Sequence, residues 1–442
     1  MRDELIRLIG AEQVLDAGDA RWSRDAATGT GLSGRPDAVV APRDAGEVAA
    51  VIAWCYERGV AMVPRGGGTG LSGGAVPVDG GVVLSLERLT RIRSFDPLLW
   101  RIEAEAGVTT ATVQRLAREN GLLFPIDPGA AEQSLIGGNV ATNAGGPHAF
   151  KHGVMNRWVT GLEAVVAPGE LIRVGGATRK DVAGYDLRGL LIGSEGTLGV
   201  VTSAWLRLTP APPVSIPLAA FYADVAEGCE AIEQLLASGV VPAVVEYLDA
   251  GTLEIVAATF PGEVPPRPGF LVLTEADTSE HDAEQLAEAL GATAQRPDPE
   301  ALWRWRDGVS LTVGAHRGAK LAEDIAVPTD RLGEAIERTV EIGLRHGLEA
   351  CSWGHAGDGN LHSTFLLSLD DPEQLRRAHA AAEELFALAI ELGGTITGEH
   401  GIGVLKRGWL SRQWDPGAVR LHAAIKDALD PKGLFNPGKK LA

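Results

Sequence analysis

Cysteine is scarce in this sequence, and the three present, Cys55, Cys229 and Cys351, lie far apart with no C-x-x-C spacing. That excludes a disulfide framework and a thiolate-held iron–sulfur cluster, and the three read as buried thiols. No haem motif is written here either. No apolar run approaches the ~20 residues that a membrane-crossing helix needs, and the start, Met1-Arg2-Asp3-Glu4-Leu5, has no apolar signal core. A cytoplasmic location is expected, with any membrane association left to partners. Basic charge is in deficit: 40 Lys and Arg stand against 58 Asp and Glu, a net charge of −18. This argues against nucleic acid or an anionic membrane as an unaided partner, while leaving open a local basic pocket for a small anion. Internal repeats and low-complexity tracts are absent. What is present is an ordinary folded composition, 45% hydrophobic and 22% charged over 442 residues, enough for two to three domains with sizeable cores.

Glycine is concentrated where it can do chemistry. Pro64-Arg65-Gly66-Gly67-Gly68-Thr69-Gly70-Leu71-Ser72-Gly73-Gly74 can lay bare backbone N–H groups against a diphosphate as an anion-binding nest. Its Gly68-Thr69-Gly70-Leu71-Ser72-Gly73 satisfies the G-x-G-x-x-G string of a nicotinamide-binding unit, which needs a strand before it and a helix after it. The strand is there, but Pro77, Gly80 and Gly81 follow where the helix should run. The loop therefore binds a dinucleotide in another manner, or is a bare turn between strands. Two more glycine-rich stretches, 137–146 and 193–201, read as loops, and three in one half suggest one extended ligand touched several times; three unrelated tight turns are the alternative.

In chain order, 36–42 reads as a strand, and Asp44 with Glu47 forms a capping-box pattern opening a helix to about Arg58. Strands are expected at 60–63, 82–86 and 101–105, a helix at 109–120 closed by Gly121, and a hairpin of 162–166 with 170–174 turning at Pro168-Gly169. Pro210, Pro212, Pro213 and Pro217 mark a domain boundary. Beyond it, strands at 218–222, 243–248, 270–274, 324–327 and 360–366, with helices at 225–237, 282–290, 331–346 and 373–392, suggest an antiparallel sheet with helices on one face. The tail carries a helix at 418–429 and a closing turn at Phe435-Asn436-Pro437-Gly438.

Gly354-His355-Ala356-Gly357-Asp358-Gly359-Asn360-Leu361-His362 places two histidines seven positions apart among glycines, on a loop leading into a strand. Two imidazoles with the carboxylate of Glu399 would make a transition-metal site with open positions; satisfied polar groups at a turn are the plainer reading. His400, next to Glu399, is the natural general base, or else a third ligand or a capping group. Arg306 and Lys320 lie in a locally basic segment and can grip a carboxylate, although such charges are more often solvated.

Taken in order, the stretches 64–74, 136–146, Lys180-Asp181-Val182-Ala183-Gly184-Tyr185-Asp186-Leu187, 192–202, 320–328, 355–362, Glu399-His400-Gly401 and Phe435-Asn436-Pro437 resemble the FAD-linked oxidases of the vanillyl-alcohol oxidase superfamily over essentially the whole chain. The resemblance is strongest to the D-2-hydroxyacid dehydrogenases, which include D-lactate, D-2-hydroxyglutarate and glycolate dehydrogenase subunits. It implies an α+β fold: a two-subdomain FAD-binding domain at 1–210, an antiparallel-sheet cap or substrate domain with a metal site at 211–405, and a C-terminal segment at 406–442 returning to the FAD domain. It implies that Pro64, Arg65, Gly66, Gly67, Gly68, Thr69, Gly70, Gly73, Gly74, Pro128, Gly129, Ser134, Gly138, Asn139, Thr142, Gly196, Val201 and Asn436 surround FAD. It also implies that His355, His362 and Glu399 hold a divalent metal, commonly zinc, that His400 is the base, and that Arg306, Lys320 and Ser310 face the substrate carboxylate. Ser310 stands where some relatives carry threonine and Thr364 where some carry asparagine, which bears on substrate identity.

The implied reaction is oxidation of a small D-2-hydroxy acid to the 2-oxo acid, with electrons leaving to a quinone, a cytochrome or an electron-transferring flavoprotein. Relatives that tether the flavin often use a histidine in the glycine loop; 64–74 has none, so non-covalent FAD is expected. The competing readings are an oxygen-using oxidase of another alcohol on the same fold and a glycolate oxidase-type subunit of a larger complex. A homodimer is compatible with either.

Overall fold

The computed structural model of the chain describes residues 1–368 and 370–441. It divides into two compact units, the first made of 1–145, 154–211 and 399–442, the second of 146–153 and 212–398.

The first unit contains two large sheets and a two-stranded one that pairs Leu122–Leu123 with Thr209–Pro210. One is four-stranded, in the order Val14–Leu15, Ala38–Val40, Val82–Ser85, Met62–Arg65, with the last three strands parallel. The helix Ala45–Arg58 carries the chain from Ala38–Val40 to Met62–Arg65, and Val82–Ser85 then inserts between those two strands. The cap half of the capping box forms as the sequence indicates, Asp44 accepting the Glu47 N–H at 2.9 Å, whereas the Glu47 carboxylate reaches past the cap residue and accepts the Arg43 N–H at 2.8 Å. The second sheet is wholly antiparallel, in the order Ile92–Asp96, Arg101–Glu105, Val200–Arg207, Val159–Val166, Glu170–Gly175. The C-terminal segment is built into this unit: Phe435, fully buried, bridges to Met62, and Asp430 accepts from the Tyr56 hydroxyl at 3.0 Å. The glycine loop follows the strand Met62–Arg65, and residues 66–81 contain no helix. The stretch at 137–146, expected as a loop, instead begins as the helix Ile136–Thr142. Gly137 and Gly138 are tolerated there because the helix is wedged against other backbone, where a Cβ on Gly137 would lie 2.6 Å from that of Ala106.

The elements of the second unit are β1 (Ile216–Tyr222), α1 (Val225–Ala237), β2 (Val244–Asp249), α2 (Ala250–Val256), β3 (Phe270–Ala276), α3 (Glu280–Leu290), α4 (Pro299–Arg317), β4 (Ala319–Ala326), α5 (Leu332–Arg345), β5 (Ala350–His355), β6 (Asn360–Leu367) and α6 (Pro372–Glu391). The strands form one antiparallel sheet in the order β1-β3-β2-β5-β6-β4. Helices cover both faces, not one as expected. Leu302, Val309 and Val313 of α4 and Leu253 of α2 pack with Phe221, Leu248, Leu271, Trp353 and Leu366 on one face. On the other, Gly228 of α1 sits so close to the Phe270 ring that a Cβ would fall 2.0 Å from it, and Thr339 of α5 hydrogen-bonds Ser363 at 3.0 Å. All seven residues of β3 are buried, as in a strand covered on both sides. The short segment 146–153 belongs to this unit, where Lys151 pairs with Asp277 and Phe150 packs against Gly357.

Candidate active site

In the second unit, strand alternation collects a polar set on the face covered by α4. Glu246 of β2 is the register partner of His355 at the end of β5; Trp353, two residues back, is opposite His362 of β6; and His362 is opposite Asp324 of β4. Residues two apart in a strand share a face, so Lys320, Asp324, His362, Thr364, His355 and Glu246 all point the same way. The imidazoles of His355 and His362 meet edge-on with centroids 5.2 Å apart, and the residues are 6% and 9% exposed. The histidine expected on a loop is therefore held on a strand, and the two are the arms of a hairpin closed by the turn Ala356–Asp358.

Glu246 is fully buried in the middle of this set. One carboxylate oxygen is hydrogen-bonded to Nδ1 of His355; the other accepts from Nε of Arg306 at 2.8 Å and from its Nη2. Burial pushes the Glu246 carboxyl up, but the charges of Arg306 and His355 outweigh it and hold the group below the usual carboxylate range. Arg306, expected to face a substrate carboxylate, thus makes its hydrogen bonds inside the protein. Ser310, one helical turn further along α4, accepts from Nζ of Lys320 at 2.6 Å. That ammonium also lies 5.0 Å from the Trp353 ring, and burial pulls its pKa down to about 8. Ser310 and Lys320 are brought together.

Asp324, also fully buried, accepts from the Thr397 hydroxyl at 3.1 Å and from the Gly398 N–H at 2.8 Å. It thereby fixes the chain up to the residue before Glu399. One ligand atom from each of His355, His362 and Glu399 lies within 4.8 Å of the others. Two imidazoles and a carboxylate at that spacing could hold one divalent ion. Asn360 Oδ1, on the same strand face as His362, is buried without a hydrogen-bond partner.

In the first unit, the glycine stretches are bound to one another. A Cβ on Gly67 would fall 2.0 Å from the carbonyl oxygen of Gln133, and one on Gly66 would fall 3.3 Å from Cα of Gly138. Only glycine allows backbone to approach so closely. Gly196, at φ 70°, packs on the Pro64 ring. Asn436 donates to the carbonyls of Gly74 and Glu195 at 2.9 and 2.8 Å, and its Oδ1 is buried without a partner. Ser134 and Asn139 are wired to the Thr110 hydroxyl, at 2.7 and 2.5 Å, and the Thr142 hydroxyl bonds back to Gly138 at 3.1 Å. Arg65 lays its guanidinium against Gly68 of the loop and donates to the Arg24 carbonyl at 2.8 Å. Two expected flavin residues stand apart from this cradle: Gly129 sits on an exposed turn, and Val201 packs in the core of the antiparallel sheet.

His400 joins the cradle from the C-terminal segment. The Ser72 hydroxyl donates to the His400 and Gly401 carbonyls at 2.9 Å each, and the Glu195 carboxylate accepts the N–H groups of Ile402 and Gly403 at 2.9 and 2.6 Å. Nε2 of His400 is 3.8 Å from the Glu399 carboxylate. Sequence reasoning assigned no role to Glu195, Glu246 or Asp324. A signal existed for Glu246, a lone acid in the apolar run Val244-Val245-Glu246-Tyr247-Leu248, since a charge at a core-facing strand position must find a partner.

The glycine cradle and the polar sheet face together define a flavin-type oxidoreductase, and comparison agrees. Residues 36–175 match the FAD binding domain family, and residues 211–440 match the C-terminal domain of the FAD linked oxidases. The chain belongs to the FAD-linked oxidases. It is 35% identical to the glycolate oxidase subunit GlcD of Bacillus subtilis over 100% of this chain and 97% of that protein. To a D-lactate dehydrogenase of Archaeoglobus fulgidus it is 35% identical over 91% of this chain and 90% of the other. Among solved structures, p-cresol methylhydroxylase superimposes with a TM-score of 0.80 at 17% identity, covering 99% of this chain and 95% of that one, which places the fold in the vanillyl-alcohol oxidase and p-cresol methylhydroxylase type.

Proposed function

We propose that this FAD-linked oxidoreductase oxidises a D-2-hydroxy acid of the lactate or 2-hydroxyglutarate class to the 2-oxo acid with the help of a divalent metal, and passes the electrons to an external acceptor. The observation that carries the reading is the grouping of His355, His362 and Glu399 within 4.8 Å, with His400 next in sequence. The names of the relatives, a D-lactate dehydrogenase and a glycolate oxidase subunit, support the substrate class.

Two imidazoles and a carboxylate suit zinc among the common divalent ions. A divalent ion held there would lower the pKa of the substrate hydroxyl. Bound FAD would supply the redox chemistry, as acceptor of the α-hydrogen with its electron pair. The chain's own residues do the rest. His400 accepts the hydroxyl proton. Lys320, positioned by Ser310, holds the substrate carboxylate as a cation, and the Arg306 charge adds to the field around it. The backbone of 66–74, with Gly138, Gly196 and Asn436, cradles the flavin without a covalent bond.

On this reading, 1–210 is the flavin domain, 211–405 the substrate domain and 406–442 the returning segment. A quinone, a cytochrome or an electron-transferring flavoprotein is the acceptor, because the chain has no relay of its own. No helix among the described residues is long and apolar enough to cross a membrane. The test is anaerobic titration of the purified flavoprotein with a panel of D- and L-2-hydroxy acids, watching flavin absorbance, with metal content measured on the same sample. Bleaching by a D-acid in zinc-containing protein is expected; no bleaching by any 2-hydroxy acid would overturn the reading. Acid precipitation should release the yellow colour, and colour retained in the pellet would contradict non-covalent binding.

A further inference from the structure

We infer that Glu246 and Arg306 form a buried positioning pair behind the metal site, and that Arg306 serves His355 through Glu246. This rests on the reading of His355, His362 and Glu399 as metal ligands.

Two independent features of the fold meet at this pair. The first is strand register. Glu246 lies directly opposite His355 on the neighbouring antiparallel strand, so its carboxylate reaches Nδ1 without leaving the sheet face. With Nδ1 donating to a carboxylate, the ring is fixed in one tautomer and one rotation, and Nε2 is the atom presented to an ion. The second is the helix. Leu302, Arg306, Val309 and Val313 form the buried stripe of α4, so Arg306 occupies a core position at 7% exposure. A guanidinium there must have a carboxylate partner, and it donates through Nε and Nη2 to the Glu246 oxygen that His355 does not use. The carboxylate is thereby divided: one oxygen serves the histidine, and the other is anchored by a fork that cannot swing away. Removing either member of such a buried pair leaves the other charged and unsatisfied.

The arrangement also predicts why the nearest isostere fails. A glutamine at 246 offers one oxygen and one NH2, whereas both of its neighbours, the His355 N–H and the Arg306 fork, are donors. One of the two contacts must become donor against donor.

The experiment is a competition titration of zinc against a chromophoric chelator on the metal-stripped, FAD-loaded full chain. The wild type is compared with Glu246→Gln, Arg306→Ala, His355→Ala and the double variant Glu246→Leu/Arg306→Met, which leaves no buried charge unpaired and no acceptor for Nδ1 of His355. Bound FAD per chain and a thermal melt certify that each variant is folded. Glu246→Gln, Arg306→Ala and the double variant should each bind zinc about 10- to 100-fold more weakly, the range for losing a group that orients a ligand. If Arg306→Ala binds zinc as the wild type does, Arg306 does not act through Glu246 and the inference falls. Wild-type zinc affinity in folded Glu246→Gln or in the double variant overturns it equally. If His355→Ala binds zinc as tightly as the wild type, the metal reading itself has failed, an outcome distinct from the other two.

Discussion

The two units build their sites by opposite means. The first presents backbone: the glycine stretches at 64–74 and 193–201 and the helix Ile136–Thr142 pack on one another, Gly67 lies so near the Gln133 carbonyl that a Cβ is excluded, and the side-chain anchors, Ser72, Glu195 and Asn436, mostly bind carbonyl and N–H groups. The second presents side chains gathered from four strands and one helix, with two buried carboxylates, Glu246 and Asp324, orienting the groups around them. Steric exclusion governs one site and charge pairing the other. The two should therefore fail differently: a single methyl group should break the first, whereas the second should lose ion and substrate without losing flavin.

The largest effect expected is on the backbone site. Gly67→Ala puts a Cβ 2.0 Å from the Gln133 carbonyl oxygen, a backbone atom with little room to retreat. We expect the protein to be purified with most of its FAD missing and therefore inactive; full flavin content by absorbance would show that the loops are not closed as tightly as described. Next comes the pair at the head of the C-terminal segment. His400→Ala should keep FAD and metal yet lose turnover by about 10²- to 10⁴-fold, the usual range for positioned proton transfer. Glu399→Ala should lose metal along with activity. Metal analysis of both by mass spectrometry separates the roles, and an emptied site in His400→Ala would make His400 a ligand.

How far these sites were legible in the sequence follows from the same contrast. A backbone site must be spelled in contiguous glycines, so the loop at 64–74 and its lack of a following helix could be read directly. A side-chain site is spelled at single positions far apart, and only His355, His362 and Glu399 stood in conspicuous motifs. Glu246 and Asp324 sit in ordinary strands and become meaningful only through register. The helix α4 was missed for a related reason: its apolar stripe is interrupted by Arg306, and Gly308 and Gly314 lower its helix propensity. Where apolar spacing was uninterrupted, as in Val225–Ala237, helix and boundaries agreed. The number of covered sheet faces was not legible, because an all-buried strand such as Phe270–Ala276 looks the same from sequence whichever side is packed first.

A smaller effect sharpens the second site. Lys320→Ala removes a charged hydrogen-bond donor from the proposed carboxylate clamp and should cost about 1.5 to 3 kcal/mol in kcat/KM, roughly ten- to a hundred-fold. Wild-type kinetics would show that the substrate binds elsewhere. Smaller still is the pH effect. Because burial lowers the Lys320 pKa to about 8, its ammonium is charged below that pH and lost above it. The free-enzyme term kcat/KM should therefore fall as pH rises through about 8, and Lys320→Arg should move that limb to higher pH. A limb unchanged in Lys320→Arg would assign it to another group.

The measurement that tests the account most directly is the rate of flavin reduction by D-lactate or D-2-hydroxyglutarate under anaerobic stopped flow, in one preparation assayed as purified, after metal removal and after zinc is restored. The account predicts rapid bleaching, loss of at least about 10²-fold in rate on stripping, in line with a metal-activated hydroxyl, and recovery with zinc, all at constant FAD content. Reduction at the same rate in stripped protein would contradict it, and the histidine pair on the sheet would then be structural.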